Sequence, residues 1–139
     1  MIYSETFSLS TKGFTDILDI TSEVKKILGK SEIKDGICLV SCPGSTCGIS
    51  TLEYESGLIE DLKKILEEIA PMSDDYEHCK KWGDCNGYAH VRSALMKPFL
   101  VVPIEKGHLN LGTWQQIGFF DFDNRPRERE INIKIVGEK

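Results

Sequence analysis

Gly36-Ile-Cys-Leu-Val-Ser-Cys42 is a continuous apolar run that follows the turn-forming residues Lys34-Asp-Gly36. A run with so little polar alternation suits a central strand buried on both faces. Side chains alternate along a strand, so Cys38 and Cys42 share one face. Buried, unreactive thiols are expected there. Before this run, Tyr3, Phe7 and Leu9 alternate with polar residues, the pattern of a half-buried strand. A short strand is expected over Phe14 to Ile20. Thr21 is then placed to cap a helix carrying Val24, Ile27 and Leu28 on one face, with Gly29 as its stop.

After the run, Pro43-Gly-Ser-Thr-Cys-Gly48 reads as a loop of small residues, and Ile49 to Glu55 as a strand containing Glu53. Gly57 breaks that strand. Leu58, Leu62, Ile65, Leu66 and Ile69 recur at helical spacing until Pro71. The charges between them read as a solvated face. His90 to Met96 predicts a short helix, Phe99 to Ile104 a buried strand, and Leu109 to Phe122 a strand pair or one bent strand. Asp121 to Arg129 is a charged connection, and Ile131, Ile133 and Ile135 alternate in the last strand. Strands and helices are interspersed without a βαβ rhythm, which predicts an α+β fold with a mixed sheet. The 139 residues show no repeat or linker, so a single domain over 1–139 is expected.

Hydrophobic residues make up 40% of the chain and charged residues 28%, the balance of an ordinary globular domain. The formal net charge of −5 disfavours general attraction to nucleic acid or to an anionic membrane. The N-terminus lacks a secretion signal, and no apolar stretch approaches the roughly 20 residues of a membrane span. A cytoplasmic location is expected. Five cysteines, an odd number without an export signal, then predict reduced thiols rather than a disulfide frame.

The richest chemistry lies in Tyr76-Glu-His-Cys-Lys-Lys-Trp-Gly-Asp-Cys-Asn-Gly-Tyr-Ala-His90. Read as a loop made pliable by Gly83 and Gly87, it brings His78, Asp84 and His90 together. Two imidazoles and a carboxylate suit a divalent metal ion with an open position; Zn, Mg and Mn all remain open. The spacing matches no standard zinc signature, and two surface histidines in a polar loop is the plainer alternative. Gly44-Ser-Thr-Cys-Gly48 offers hydroxyls and backbone N–H groups to a phosphate, although it is not a P-loop. Glu53 faces either a pocket, as a general acid or base, or solvent. Thr113, Trp114 and Gln115 offer a stacking face and amide hydrogen bonds to a ring; the alternative makes Trp114 a core residue. Arg125, Arg127 and Arg129 suit a phosphate, and equally suit local salt bridges to the acidic residues around them.

Gly44-Ser-Thr-Cys-Gly-Ile-Ser-Thr-Leu-Glu53, Tyr76-Glu-His78, Asn86-Gly-Tyr-Ala-His90 and Leu111-Gly-Thr-Trp-Gln115 resemble, in order, the signatures of the YjbQ-like family. That family is also described as secondary thiamine-phosphate synthase enzymes. The resemblance implies a compact α+β domain with a mixed, partly rolled sheet packed by helices, assembled as a homotrimer. It implies a metal-assisted enzyme that joins a pyrimidine diphosphate to a thiazole phosphate. In that reading His78, Asp84 and His90 hold the ion, and Glu53, His78 and His90 are catalytic. Ser45, Thr46, Arg127 and Arg129 bind phosphate, while Thr113, Trp114 and Gln115 bind the ring. A metal-dependent phosphate hydrolase and a non-enzymatic trimeric ligand-binding protein are the alternatives. Many family members carry His-Thr where this chain has Gly44-Ser45, which bears on activity more than on fold.

Overall fold

The computed structural model describes residues 1–139. Its strands are β1 (Ile2–Thr11), β2 (Asp16–Asp19), β3 (Asp35–Ser41), β4 (Cys47–Leu52), β5 (Phe99–Glu105), β6 (His108–Leu109), β7 (Gln116–Asp121) and β8 (Arg127–Glu138). Its helices are α1 (Thr21–Ser31), α2 (Ser56–Ile69), α3 (Glu77–Trp82) and α4 (Gly87–Met96). The strands form a five-stranded sheet in the order β1-β8-β3-β5-β6 and a three-stranded sheet in the order β2-β7-β4. The α+β class stands. The pairing is antiparallel throughout rather than mixed, because no strand pair is joined by a helical crossover of the parallel kind.

β3 lies in the middle of the large sheet, between β8 and β5. It is buried on one face only: Cys38 and Val40 are fully buried, while Ile37 is 46% exposed. The inward side chains of β3, β5 and β8 meet α1 and one face of the small sheet. Val24, Ile27 and Leu28 of α1 pack there with Ile131, Ile133, Ile135, Ile49 and Phe119. Each such side chain contributes about 1.5–3 kcal/mol by leaving water. The other face of the small sheet presents Ile17, Leu52, Phe120 and the adjoining Phe122 to α2 and α4. α4 comes close because Gly48 has no side chain; a Cβ there would stand 2.6 Å from the Met96 sulfur.

Several local expectations change. Thr21 opens α1 rather than capping it: its hydroxyl donates to Asp19 Oδ1 at 2.6 Å and accepts the Ile117 N–H at 2.8 Å. Gly29 lies inside the helix, which ends instead at Glu32 in the left-handed conformation. Asp35 and Gly36 belong to β3 rather than to a turn. Gly57 sits in the first turn of α2, capped by Glu55, whose carboxylate accepts the Gly57 and Leu58 N–H groups at 2.8 Å each. No helix is long and apolar enough to cross a membrane.

Candidate functional site

The expected pliable loop over 76–90 is mostly helical. α3 carries His78, Gly83 ends it with φ 75°, and α4 already begins at Gly87 and carries His90. The helices bring the two imidazoles together, with ring centroids 4.4 Å apart. His78 Nδ1 lies 3.6 Å from Asp84 Oδ1. That nitrogen is buried and has no hydrogen-bond partner. Burial and the neighbouring His78 push the His90 imidazole below its ordinary range, which favours the neutral form with a free lone pair. Cys79 and Cys85 form a disulfide, so the expectation of five reduced thiols is corrected; Cys38, Cys42 and Cys47 are free and buried. Counting cysteines could not find this bridge, because it depends on the chain reversing at Gly83 after the end of α3.

His90 opens onto a polar cleft of about 560 Å³. One wall is the loop Pro43–Thr46 between β3 and β4. The second is Asp84, Asn86 and His90, and the third runs from Asp123 through Arg125 to Arg127 and Arg129. The third wall is held from beneath by two buried carboxylates. Asp121 is wholly buried and accepts Arg129 Nε at 2.8 Å, Arg129 Nη2 at 2.9 Å and the Thr11 hydroxyl at 2.6 Å. The bond to Asp121 raises the Arg129 pKa further. Asp123, 2% exposed, accepts Arg127 Nη1 at 2.5 Å, Asn86 Nδ2 at 3.2 Å and the Asn124 N–H at 2.8 Å. Burial pushes the Asp123 carboxyl up, but the Asn86, Asn124 and Arg127 partners outweigh it and hold it ionised, below the usual range.

Thr46 ties the loop to this wall. Its hydroxyl accepts Arg129 Nη2 at 2.8 Å and faces Asp123 Oδ2 at 3.4 Å. Its carbonyl accepts the Phe122 N–H at 2.9 Å. Two nitrogens of Arg129 are thereby committed, and the third lies beside Gly44, where a Cβ would stand 3.0 Å away. Gly44 thus adds no side chain of its own beside that guanidinium edge. The salt-bridge reading of Arg127 and Arg129 is the one observed: Arg127 pairs with Asp123 and Arg129 with Asp121.

Ser45, Thr46, Asp84, His90, Arg127 and Arg129 therefore share one cleft. Glu53, Thr113 and Trp114 do not. Glu53 lies just beyond β4 rather than inside a strand, and with Thr113 and Trp114 it lines a separate depression of about 450 Å³. Trp114 is 71% exposed, which rules out the core alternative. Gln115 braces its own turn: its side chain accepts the Gly112 N–H at 2.8 Å and donates to Thr51 Oγ1 at 3.3 Å. Asn86 has no role that the sequence alone assigns, and Asp121 and Asp123 read there only as neighbouring acids available for salt bridges, not as the buried floor of the cleft. The signal was present in Asp121-Phe-Asp123, where a hydrophobic strand end carries two carboxylates close to three arginines.

For a metal ion, the donor chemistry of His78, Asp84 and His90 fits: one imidazole nitrogen is buried without a partner, and the other ring is held neutral. The three are neighbours without converging as a ligand shell, since no group of three or more His, Cys, Asp or Glu is arranged around one point.

A family model described as UPF0047 protein YjbQ-like matches residues 5–138. A UPF0047 protein of Archaeoglobus fulgidus is 38% identical over 93% of this chain and 98% of its own length. UPF0047 protein YugU of Bacillus subtilis is 32% identical over 96% of this chain and 98% of its own. The crystal structure of a YbjQ-like protein of unknown function from Sulfolobus solfataricus superposes with a TM-score of 0.94 at 35% identity, covering 99% of each chain. Matched along nearly its whole length in both sequence and backbone, the chain belongs to the UPF0047, YjbQ-like family.

Proposed function

We propose that the cleft binds the phosphate of a small phosphorylated heterocycle and that the protein is a cytoplasmic enzyme acting on it, of the thiamine-phosphate-forming kind its signatures resemble. One observation carries this reading. In a chain of net charge −5, three arginines, two hydroxyls and a neutral histidine meet in one cleft. Arg127 and Arg129 are fixed by buried carboxylates before any ligand arrives, so little reorganisation opposes charge stabilisation. His90 would take or return a proton at its free nitrogen. We include a divalent ion, which His78, Asp84 and His90 would hold only by drawing together from their present positions and which would supply positive charge for phosphate oxygens. We also include a homotrimer: Glu53, Thr113 and Trp114 line a different depression from His90, so in this reading they act on substrate only when a second copy presents them.

The test is an assay with the pyrimidine diphosphate, with and without the thiazole phosphate, on wild type and Arg127→Ala. Diphosphate release only when both substrates are present, lost in the variant, supports the transferase. Release without the thiazole phosphate marks a hydrolase instead. Calorimetric binding without turnover marks a ligand-binding protein, and no phosphate binding at all overturns the reading. Elemental analysis of wild type and His90→Ala checks the ion; equal content in the two removes it from the proposal.

A further inference from the structure

The arginine cleft does not end at His90. Gly44, Ser45 and His90 also line a second cavity of about 430 Å³, whose far wall is Lys97 and Pro98. Lys97 follows α4 directly. Its backbone sits at φ 75°, ψ 140°, a region that side-chain-bearing residues rarely occupy. The position is held on both sides: the Lys97 N–H donates to Ser93 O at 2.7 Å, and the Lys97 carbonyl accepts the Ile49 N–H at 3.0 Å. The next carbonyl, of Pro98, accepts the Cys42 N–H at 2.9 Å. The segment is thus clamped between the end of β3 and the start of β4, and shares a cavity with Gly44 and Ser45 of the loop that joins them. Glycine would occupy this conformation without strain. Strain of this kind is tolerated where the side chain has work to do. The ammonium is exposed and enters none of the chain's ion pairs. It lies 6.0 Å from the centre of the Phe99 ring. Arg125, which also enters no ion pair, lines the arginine cleft with His90.

We propose that Lys97, with the Ser45 hydroxyl, forms a second anion-binding subsite continuous with the arginine cleft, so that the site takes two anionic groups, with His90 in the wall of both subsites. This rests on the reading of the arginine cleft as a phosphate site and extends it to ligands, or pairs of co-substrates, that carry two phosphates. Two subsites that share His90 in their walls place the atoms between the two anions against that imidazole, which a single phosphate site does not do. Linking two groups that bind separate subsites makes the second contact intramolecular, and the gain depends on linker length.

The test is calorimetric titration with an alkyl monophosphonate and with a series of alkane bisphosphonates of increasing chain length. Wild type, Lys97→Gly and Lys97→Arg are compared. Wild type is expected to bind the best bisphosphonate at least about tenfold more tightly than the monophosphonate. Lys97→Gly, which relieves the backbone, is expected to fold, to keep the monophosphonate affinity and to lose the bisphosphonate advantage; Lys97→Arg is expected to keep both. Lys97→Met takes its place if the glycine variant does not fold. Equal binding of the two ligand types by wild type overturns the second subsite while leaving the arginine cleft intact. An advantage that persists without Lys97 overturns it too. Failure of wild type to bind either ligand removes the arginine-cleft reading, and this one with it.

Discussion

Asp121 is the residue on which the cleft depends. It is wholly buried and is shared by Arg129, Thr11 and the Asp123 N–H. Asp121→Ala would leave the Arg129 guanidinium buried without its partner, a change that costs about 3–5 kcal/mol. Urea denaturation is expected to show that loss; a midpoint near that of wild type would mean that Arg129 finds water. His90 makes a pH prediction. Its folded pKa lies below the ordinary value of about 6.5. Above that pH neither state is protonated and its contribution is fully present. As the pH falls, the unfolded chain binds the proton first, so stability declines until the folded form is protonated as well. Urea midpoints at pH 7.5 and pH 5.5 are expected to differ less in His90→Gln than in wild type; an equal difference would refute the linkage. The same carboxylates show what the sequence concealed. Arg127 and Arg129 could be marked for phosphate from their chemistry alone, but which acids hold them depends on burial at the end of β7.

At the scale of elements, β3 and β8 pair side by side, with Gly36 opposite Gly137. A Cβ on Gly137 would stand 2.1 Å from the Asp35 carbonyl oxygen, and backbone cannot swing aside as a side chain can. Gly137→Ala is expected to destabilise by the upper end of the about 1–3 kcal/mol typical of overpacking; a thermal melt unchanged from wild type would show that the strands part at no cost. Alternation marks β1 and β8 because one face of each is buried, and period two then survives in the residue types. The continuous apolar run of β3 reads instead as a strand buried on both faces, whereas one face is open and Ile37 is 46% exposed. Helical spacing found α2, although its stripe is only partly covered: Leu66 is buried while Ile65 is 47% and Ile69 60% exposed. It missed α3, whose six residues bury none of their number and leave no apolar period to read. Glu53 was misplaced for a related reason. The strand pattern continued past Leu52, but pairing with β7 stops there, at Gln116. The separation of Glu53 and Trp114 from the cleft is a tertiary fact, and no local pattern contains it.

The whole molecule has one broad face without a covering layer. Across the large sheet Ile2, Val136, Ile37 and Pro103 fall in one row, with Leu39 and Val101 in the next and Phe99 beyond. Ile2 is 69% exposed, and Ile37, Val101 and Phe99 each nearly half. Contiguous apolar surface of this kind marks an interaction site. The proposed homotrimer uses it in the simplest way. Sedimentation equilibrium at micromolar concentration is expected to give the trimer mass for wild type and a smaller species for Ile37→Lys. A clean wild-type monomer would remove the trimer and, with it, any role for Trp114 or Glu53 at a neighbour's cleft.

The bridge between Cys79 and Cys85 encloses Lys80 and Lys81, both exposed on a short helix. A protease that cuts after lysine would therefore nick the chain inside a closed covalent ring. The two halves, one carrying His78 and the other His90, would travel as one band on a gel run without reductant. They would separate only when thiol is added. A single mass scission visible only under reduction is thus the signature to look for, and two bands without reductant would show the sulfurs unbonded in solution.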